Sequence, residues 1–214
     1  MDTIIYCYDA YCGWCYGFSP IMKRIAEEFE NDFHFEVLSG GMILPETPKH
    51  ISIMSDYINQ TVPLIEQQTG IKFGEDYLWH INNPDKSDWY PHSLKPAIAL
   101  CVFKEYHPDK QVQFAFDLQY ALNFEGRDLT DDEAYRHLLS KYNINEEEFY
   151  RKLNDQAYSQ AAHDEFAVSK HLKVTGYPTV FQREDEKKFR LLARGFTDYT
   201  ILQPRFKTIR NKTP

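Results

Sequence analysis

The stretch Ile4-Ile5-Tyr6-Cys7-Tyr8-Asp9-Ala10-Tyr11-Cys12-Gly13-Trp14-Cys15 decides how this chain is read. Its first five residues are apolar and rich in Ile and Tyr, the composition of a short buried strand. Its end places two cysteines just ahead of a helical pattern containing Ile21, Met22, Ile25, Ala26 and Phe29. A strand that passes through C-x-x-C into a helix is the arrangement of a redox-active dithiol. The reason is local. A thiol at a helix N-terminus meets unpaired backbone N–H groups and the positive end of the helix dipole. Both favour thiolate over thiol, and only the thiolate attacks a disulfide.

Outward from that motif, the spacing predicts a helix over 12–30, kinked where Pro20 removes a backbone hydrogen bond. Residues 33–38 alternate apolar and polar, a second strand that Gly40-Gly41 ends. Together these form one parallel β-α-β unit. From 48 to 154 the pattern is helical, with candidates at 48–69, 93–105, 110–124, 131–141 and 145–153. Thr130 and Glu133 have capping-box spacing, and Asn145 ahead of Glu146-Glu147-Glu148 reads as an N-cap with acids in the first turn. A helix at 155–172, a strand at 174–182, a hairpin partner at 189–194 and a terminal helix at 198–209 complete the chain.

The expected fold is therefore α/β: a thioredoxin-like order, β-α-β then α-β-β-α, with a large all-helical insertion. The thioredoxin-like part takes residues 1–46 and 155–214, and the insertion takes 47–154. A strandless segment of about 110 residues is too long for a loop, so the insertion is expected to carry a small core of its own.

Composition narrows the function classes. A formal charge of -8 provides no electrostatic footprint for nucleic acid. No apolar run approaches the roughly 18 residues that span a bilayer, and no basic amphipathic helix suits a membrane surface. Met1-Asp2-Thr3 leads straight into the first strand without a signal-peptide pattern, which predicts a cytoplasmic protein. In that compartment four cysteines are not a disulfide scaffold. Cys7 and Cys101 lie in apolar runs and are assigned to the core. With one C-x-x-C and no paired histidines, no metal site is expected.

Four features resemble the DsbA family of thiol–disulfide oxidoreductases, and within it the cytoplasmic FrnE-like branch. Asp9, two residues, then Cys12-Gly13-Trp14-Cys15 is similar to the family's approach to its redox site. Pro20 falls where such proteins kink their first helix, and Val174-x-Gly176-x-Pro178-Thr179 resembles the cis-proline segment. Leu118-Gln119-x-Ala121 with Glu125-Gly126-Arg127-Asp128-Leu129 resembles a stretch of FrnE-like helical domains. Tyr177 before the proline and Gly13-Trp14 between the cysteines depart from the commonest family residues.

Cys12, at the helix start, is the expected nucleophile, and Cys15, at i+3 on the same face, the resolving thiol. The resemblance implies a cis Pro178 that leaves neighbouring backbone free to pair with substrate. It also implies that Gly13 and Tyr177 lie against the active sulfur, on the substrate side. Trp14 reads either as an apolar wall for substrate or as packing against the insertion. Asp9 reads either as a carboxylate that opposes thiolate formation or handles the Cys15 proton, or as a turn residue. Expected partners are disulfide-containing proteins or small thiols, with no cofactor beyond the dithiol and glutathione as a candidate co-substrate. The alternative is a glutathione-dependent transferase or isomerase of the kappa-class type, which usually has serine where Cys12 stands. Oligomeric state is left open, a homodimer included.

Overall fold

The computed structural model describes residues 2–211. Strand β1, Asp2–Tyr8, is followed by helix α1, Gly13–Glu28, and strand β2, Phe33–Ser39. Seven α-helices then follow, with a 3-10 turn at Pro84–Lys86 between the second and third of them: α2 Ser52–Thr69, α3 Glu75–Asn82, α4 Leu94–Tyr106, α5 Gln111–Asn123, α6 Glu133–Tyr142, α7 Glu146–Leu153 and α8 Gln156–His171. The chain returns to the sheet with β3, Thr179–Arg183, and β4, Phe189–Arg194, and closes with α9, Tyr199–Arg210.

The sheet order is β2-β1-β3-β4, with β1 parallel to β2 and antiparallel to β3. Alternation along β1 buries both of its faces. Ile4, Tyr6 and Tyr8 join the main core, whereas Ile5 and Cys7 meet Leu38 and Phe181 on the opposite side. The central position of β1 matters for the site, because its C-terminal end carries the C-x-x-C turn.

Several expectations need correction. The insertion has no separate core: Phe103, Phe114 and Leu138 belong to the same buried cluster as Ile4, Phe18 and Val180. Helix α5 packs on α1, and α4 on α8, so the insertion's apolar faces are satisfied by the thioredoxin-like part. Helix α3 was not anticipated, since eight residues between Gly74 and Pro84 are too few for periodicity to declare itself. The capping box is absent. Thr130 Oγ1 donates to Asp128 Oδ1 at 2.8 Å, and it is Asp131 that accepts the Glu133 N–H, at 3.1 Å. Asn145 does cap α7, accepting the Glu148 N–H at 2.9 Å. Strand β3 starts only at Thr179. Before it, Lys173 takes a left-handed φ of 56° and the Val174 N–H bonds back to Ser169 O at 3.1 Å, closing α8.

Candidate active site

Where β1 ends, the turn 9–12 hands the chain to α1. The Cys12 N–H donates to Asp9 O at 3.1 Å and the Tyr11 N–H to Asp9 Oδ1 at 3.0 Å. Cys12 is the N-cap of α1 rather than its first residue, and its sulfur accepts the Cys15 N–H at 3.2 Å. Sulfur thus occupies the place of a capping oxygen and satisfies one of the helix's orphan donors. On its other side the Cys12 thiol donates to Tyr177 O at 3.6 Å, and the Tyr177–Pro178 peptide bond is cis. Cys12 is 6% exposed and Cys15 fully buried, so the first cysteine is the more accessible of the two. Burial pushes the Cys15 thiol well above its ordinary value, reinforced by its hydrogen bond to Cys12 and by the Cys12 charge.

All four cysteines are free thiols. Burial raises Cys7 to about 12 and Cys101 further still, so both stay protonated at neutral pH. Among the described residues no group of three or more His, Cys, Asp or Glu is placed to hold a metal ion.

Asp9 joins three segments. Oδ1 accepts from the Tyr11 N–H and from the Ser93 hydroxyl at 3.0 Å, and Oδ2 from the Met42 N–H at 2.7 Å. Ser93 in turn accepts the Ile43 N–H at 3.0 Å. The carboxylate therefore ties the redox turn to the loop after β2 and to the start of α4. Burial raises its pKa, and the Met42 N–H leads the bonds that pull it back down. The hydrogen bonds of Asp9 are those of a turn residue with a cross-linking role that short-range spacing could not show, and its charge also helps to raise the Cys15 thiol.

The loop after β2 also receives Tyr177, whose hydroxyl donates to Gly40 O at 2.9 Å. The ring lies so close that a Cβ on Gly40 would stand 2.1 Å from Tyr177 Cζ. Hence the residue expected on the substrate side is a strut through its side chain and a wall of the site through its backbone. Gly13 serves a similar close approach, since a Cβ there would sit 2.9 Å from Ile65 Cδ1 of α2. Gln119, fully buried on α5, donates to Asp9 O at 3.2 Å and to Cys12 O at 3.4 Å, bracing the turn from below.

Around Cys12 lies a groove of about 340 Å³. Gly13, Trp14 and the 175–177 loop line it together with Tyr57, Ile58, Val62 and Ile65 of α2. Trp14 is half-buried and lines the groove while packing on the core. The α2 wall was missed at the sequence level, because nothing in the amphipathic pattern of α2 distinguishes a groove-facing residue from a core-facing one.

The profile of the DSBA-like thioredoxin domain matches residues 3–197, nearly the whole length. The chain belongs to the DSBA-like thioredoxin domain family. No curated protein sequence matches it. Among solved structures it is similar to a candidate protein disulfide isomerase from Nitrosomonas europaea, with TM-score 0.85 and 18% identity over 100% of this chain and 99% of that one. It is also similar to the cytosolic disulfide reductase DsbM from Pseudomonas aeruginosa, with TM-score 0.76 and 22% identity over 99% of this chain and 100% of the other. The same reductase solved with GSH aligns with TM-score 0.69 and 23% identity, covering 99% and 98%. At these identities the likeness is one of fold. Among the described residues no helix is long and apolar enough to cross a membrane.

Proposed function

We propose that the chain is a thiol–disulfide oxidoreductase in which Cys12 attacks and Cys15 resolves. The observation that carries this reading is the Cys12 sulfur itself. It caps α1 and faces the Tyr177 carbonyl, and Cys12 lines the groove. In the first step Cys12 thiolate attacks one sulfur of a substrate disulfide. A bond forms between the two, and the other substrate sulfur leaves as a thiolate that takes up a proton. Cys15 then loses its proton and attacks the Cys12 sulfur, releasing the second substrate thiol and leaving a Cys12–Cys15 disulfide. Two electrons pass to the substrate. The hydrogen bond from the Cys15 N–H remains available to the Cys12 sulfur whenever it is an anion.

The running direction proposed is reduction in the cytoplasm, with glutathione restoring the dithiol. A cytosolic reductase of the same fold, solved with GSH, supports this. A glutathione-dependent isomerase of kappa-class type would have no use for a second cysteine behind the first. Cys12→Ser is expected to abolish disulfide reduction, and Cys15→Ser to accumulate mixed disulfides seen by non-reducing electrophoresis. Equal trapping by both variants would overturn the assignment of roles.

A further inference from the structure

Tyr6 sits in the middle of β1, flanked across the sheet by Val37 and Val180. It is 1% exposed, and its ring meets Phe18 edge-on with centroids 6.0 Å apart. Alternation along β1 turns it to the core that also takes Cys15 and Phe18 from one face of α1. Its hydroxyl is buried, and among the described residues it has no hydrogen-bond partner. Tyrosine hydroxyls in cores usually find an acceptor, and one left unpaired costs stability. Phenylalanine would fill the same space without that cost.

Burial holds this hydroxyl protonated, and after burial the charges of Cys15 and then Cys12 act on it most. Around Cys15 stand Cys12 and Asp9 of the turn, Tyr6 and Tyr8 of β1, and Tyr177 of the cis-proline loop. None of these is a cation. Burial, Cys12 and Asp9 all oppose a negative Cys15 sulfur, while the Asp9 N–H favours it. In the resting dithiol Cys15 is a neutral thiol, a weak acceptor that does not hold the hydroxyl. In the mixed disulfide Cys12 carries no charge, and Cys15 must become a thiolate, a strong acceptor, in order to attack. We propose, on the disulfide-exchange reading of Cys12, that the Tyr6 hydroxyl donates to the Cys15 sulfur as it becomes an anion and so assists the resolving step. The hydroxyl keeps its own proton. The Cys15 proton passes to solvent, the Cys12–Cys15 bond forms, and the Cys12–substrate bond breaks with its electron pair on the departing sulfur.

The test mixes the reduced full chain rapidly with 5,5′-dithiobis(2-nitrobenzoate) and follows two releases of the coloured thiolate. Attack of Cys12 on the reagent gives the first. Attack of Cys15 on the resulting mixed disulfide gives the second and leaves the Cys12–Cys15 disulfide. In wild type the second release should climb with pH and level off below about pH 10. Tyr6→Phe should leave the first release as it is and move that level-off up by about one pH unit. Near pH 7 its second release should slow about threefold, less than the tenfold fall in thiolate, because a more basic sulfur is a better nucleophile. Tyr8→Phe, on the same face of β1, should move neither release. As Tyr6→Phe removes an unpaired hydroxyl, its urea midpoint should be no lower than that of wild type. The role of Tyr6 alone would be overturned by a lower midpoint, by a level-off that stays in place in Tyr6→Phe or moves equally in Tyr8→Phe, or by one that wild type does not reach by about pH 10. No first release would overturn the exchange reading, and this role with it.

Discussion

Replacing Asp9 with alanine removes the acceptor shared by the Tyr11 N–H, the Met42 N–H and the Ser93 hydroxyl. A hydrogen bond to a charged partner contributes about 1.5–3 kcal/mol net, so three amount to roughly 4–9 kcal/mol. Against them stands the cost of holding a carboxylate away from water, which is several kcal/mol in folded proteins. The balance is an expected loss of about 3 kcal/mol. Asp9→Asn keeps an acceptor for Tyr11 and Ser93, removes the buried charge and sets an amide against the Met42 N–H. It should cost about 1 kcal/mol. Urea unfolding measures both, with an unchanged slope showing that stability alone has moved. The pH dependence has a definite sign. Burial raises the Asp9 carboxyl above 3.8, so the native state favours its protonated form. The stability this brings is complete below the unfolded value and is lost as pH rises through the folded one. The advantage of wild type over Asp9→Asn should therefore grow on the acid side. Unchanged stability in both variants together with lost disulfide exchange would refute the cross-link and make Asp9 a proton-handling group for Cys15.

Gly40→Ala drives a methyl into the Tyr177 ring and breaks its bond to Gly40 O, an expected loss of about 2–4 kcal/mol by thermal unfolding. An unaltered melting curve would show that the ring has room to move. Because burial holds the Cys15 thiol up, resolution of the mixed disulfide should quicken about tenfold per pH unit from about pH 6 to about pH 8. A flat profile in acid-quenched time courses would contradict this. Lys104 pairs with Glu165, both mostly buried, and Glu165 also accepts the Ser39 N–H at 2.9 Å. Lys104→Met should cost about 3 kcal/mol, and adding Glu165→Leu should recover part of it. Equal stability of the single variant and wild type would mean that the pair is screened by solvent.

The parts of this protein legible in its sequence are those governed by neighbours along the chain. The strand before Cys12, the helix after it, the cap at Asn145 and the β3–β4 hairpin follow from propensity, capping and alternation within a few residues. The thiol pair was equally plain, because its spacing and its place at a helix start are local facts. What stayed hidden is what only tertiary contact creates. Thr130 and Glu133 have capping-box spacing, yet Asp128 and Asp131 compete for their partners and win. Gln119 lies 107 residues from Cys12 and stands beneath its carbonyl. Helix α2 reads as an ordinary amphipathic helix until Ile58, Val62 and Ile65 are seen lining the same groove as Cys12.

That last contact changes how the insertion should be understood. A helical segment between β2 and β3 could have folded as an appendage, with its own core and a hinge. Instead its apolar residues complete the core of the sheet, while Gln119 holds the redox turn and Ser93 holds Asp9. The end of β1 determines where the sulfur sits and which N–H and carbonyl face it. The insertion adds Tyr57, Ile58, Val62 and Ile65 to the lining of the groove. Substitutions in the turn should therefore act on the rate with every disulfide, whereas substitutions along α2 should change which disulfides react. This division follows from packing, since Ile65 meets Gly13 at a distance that leaves no room for a side chain between them.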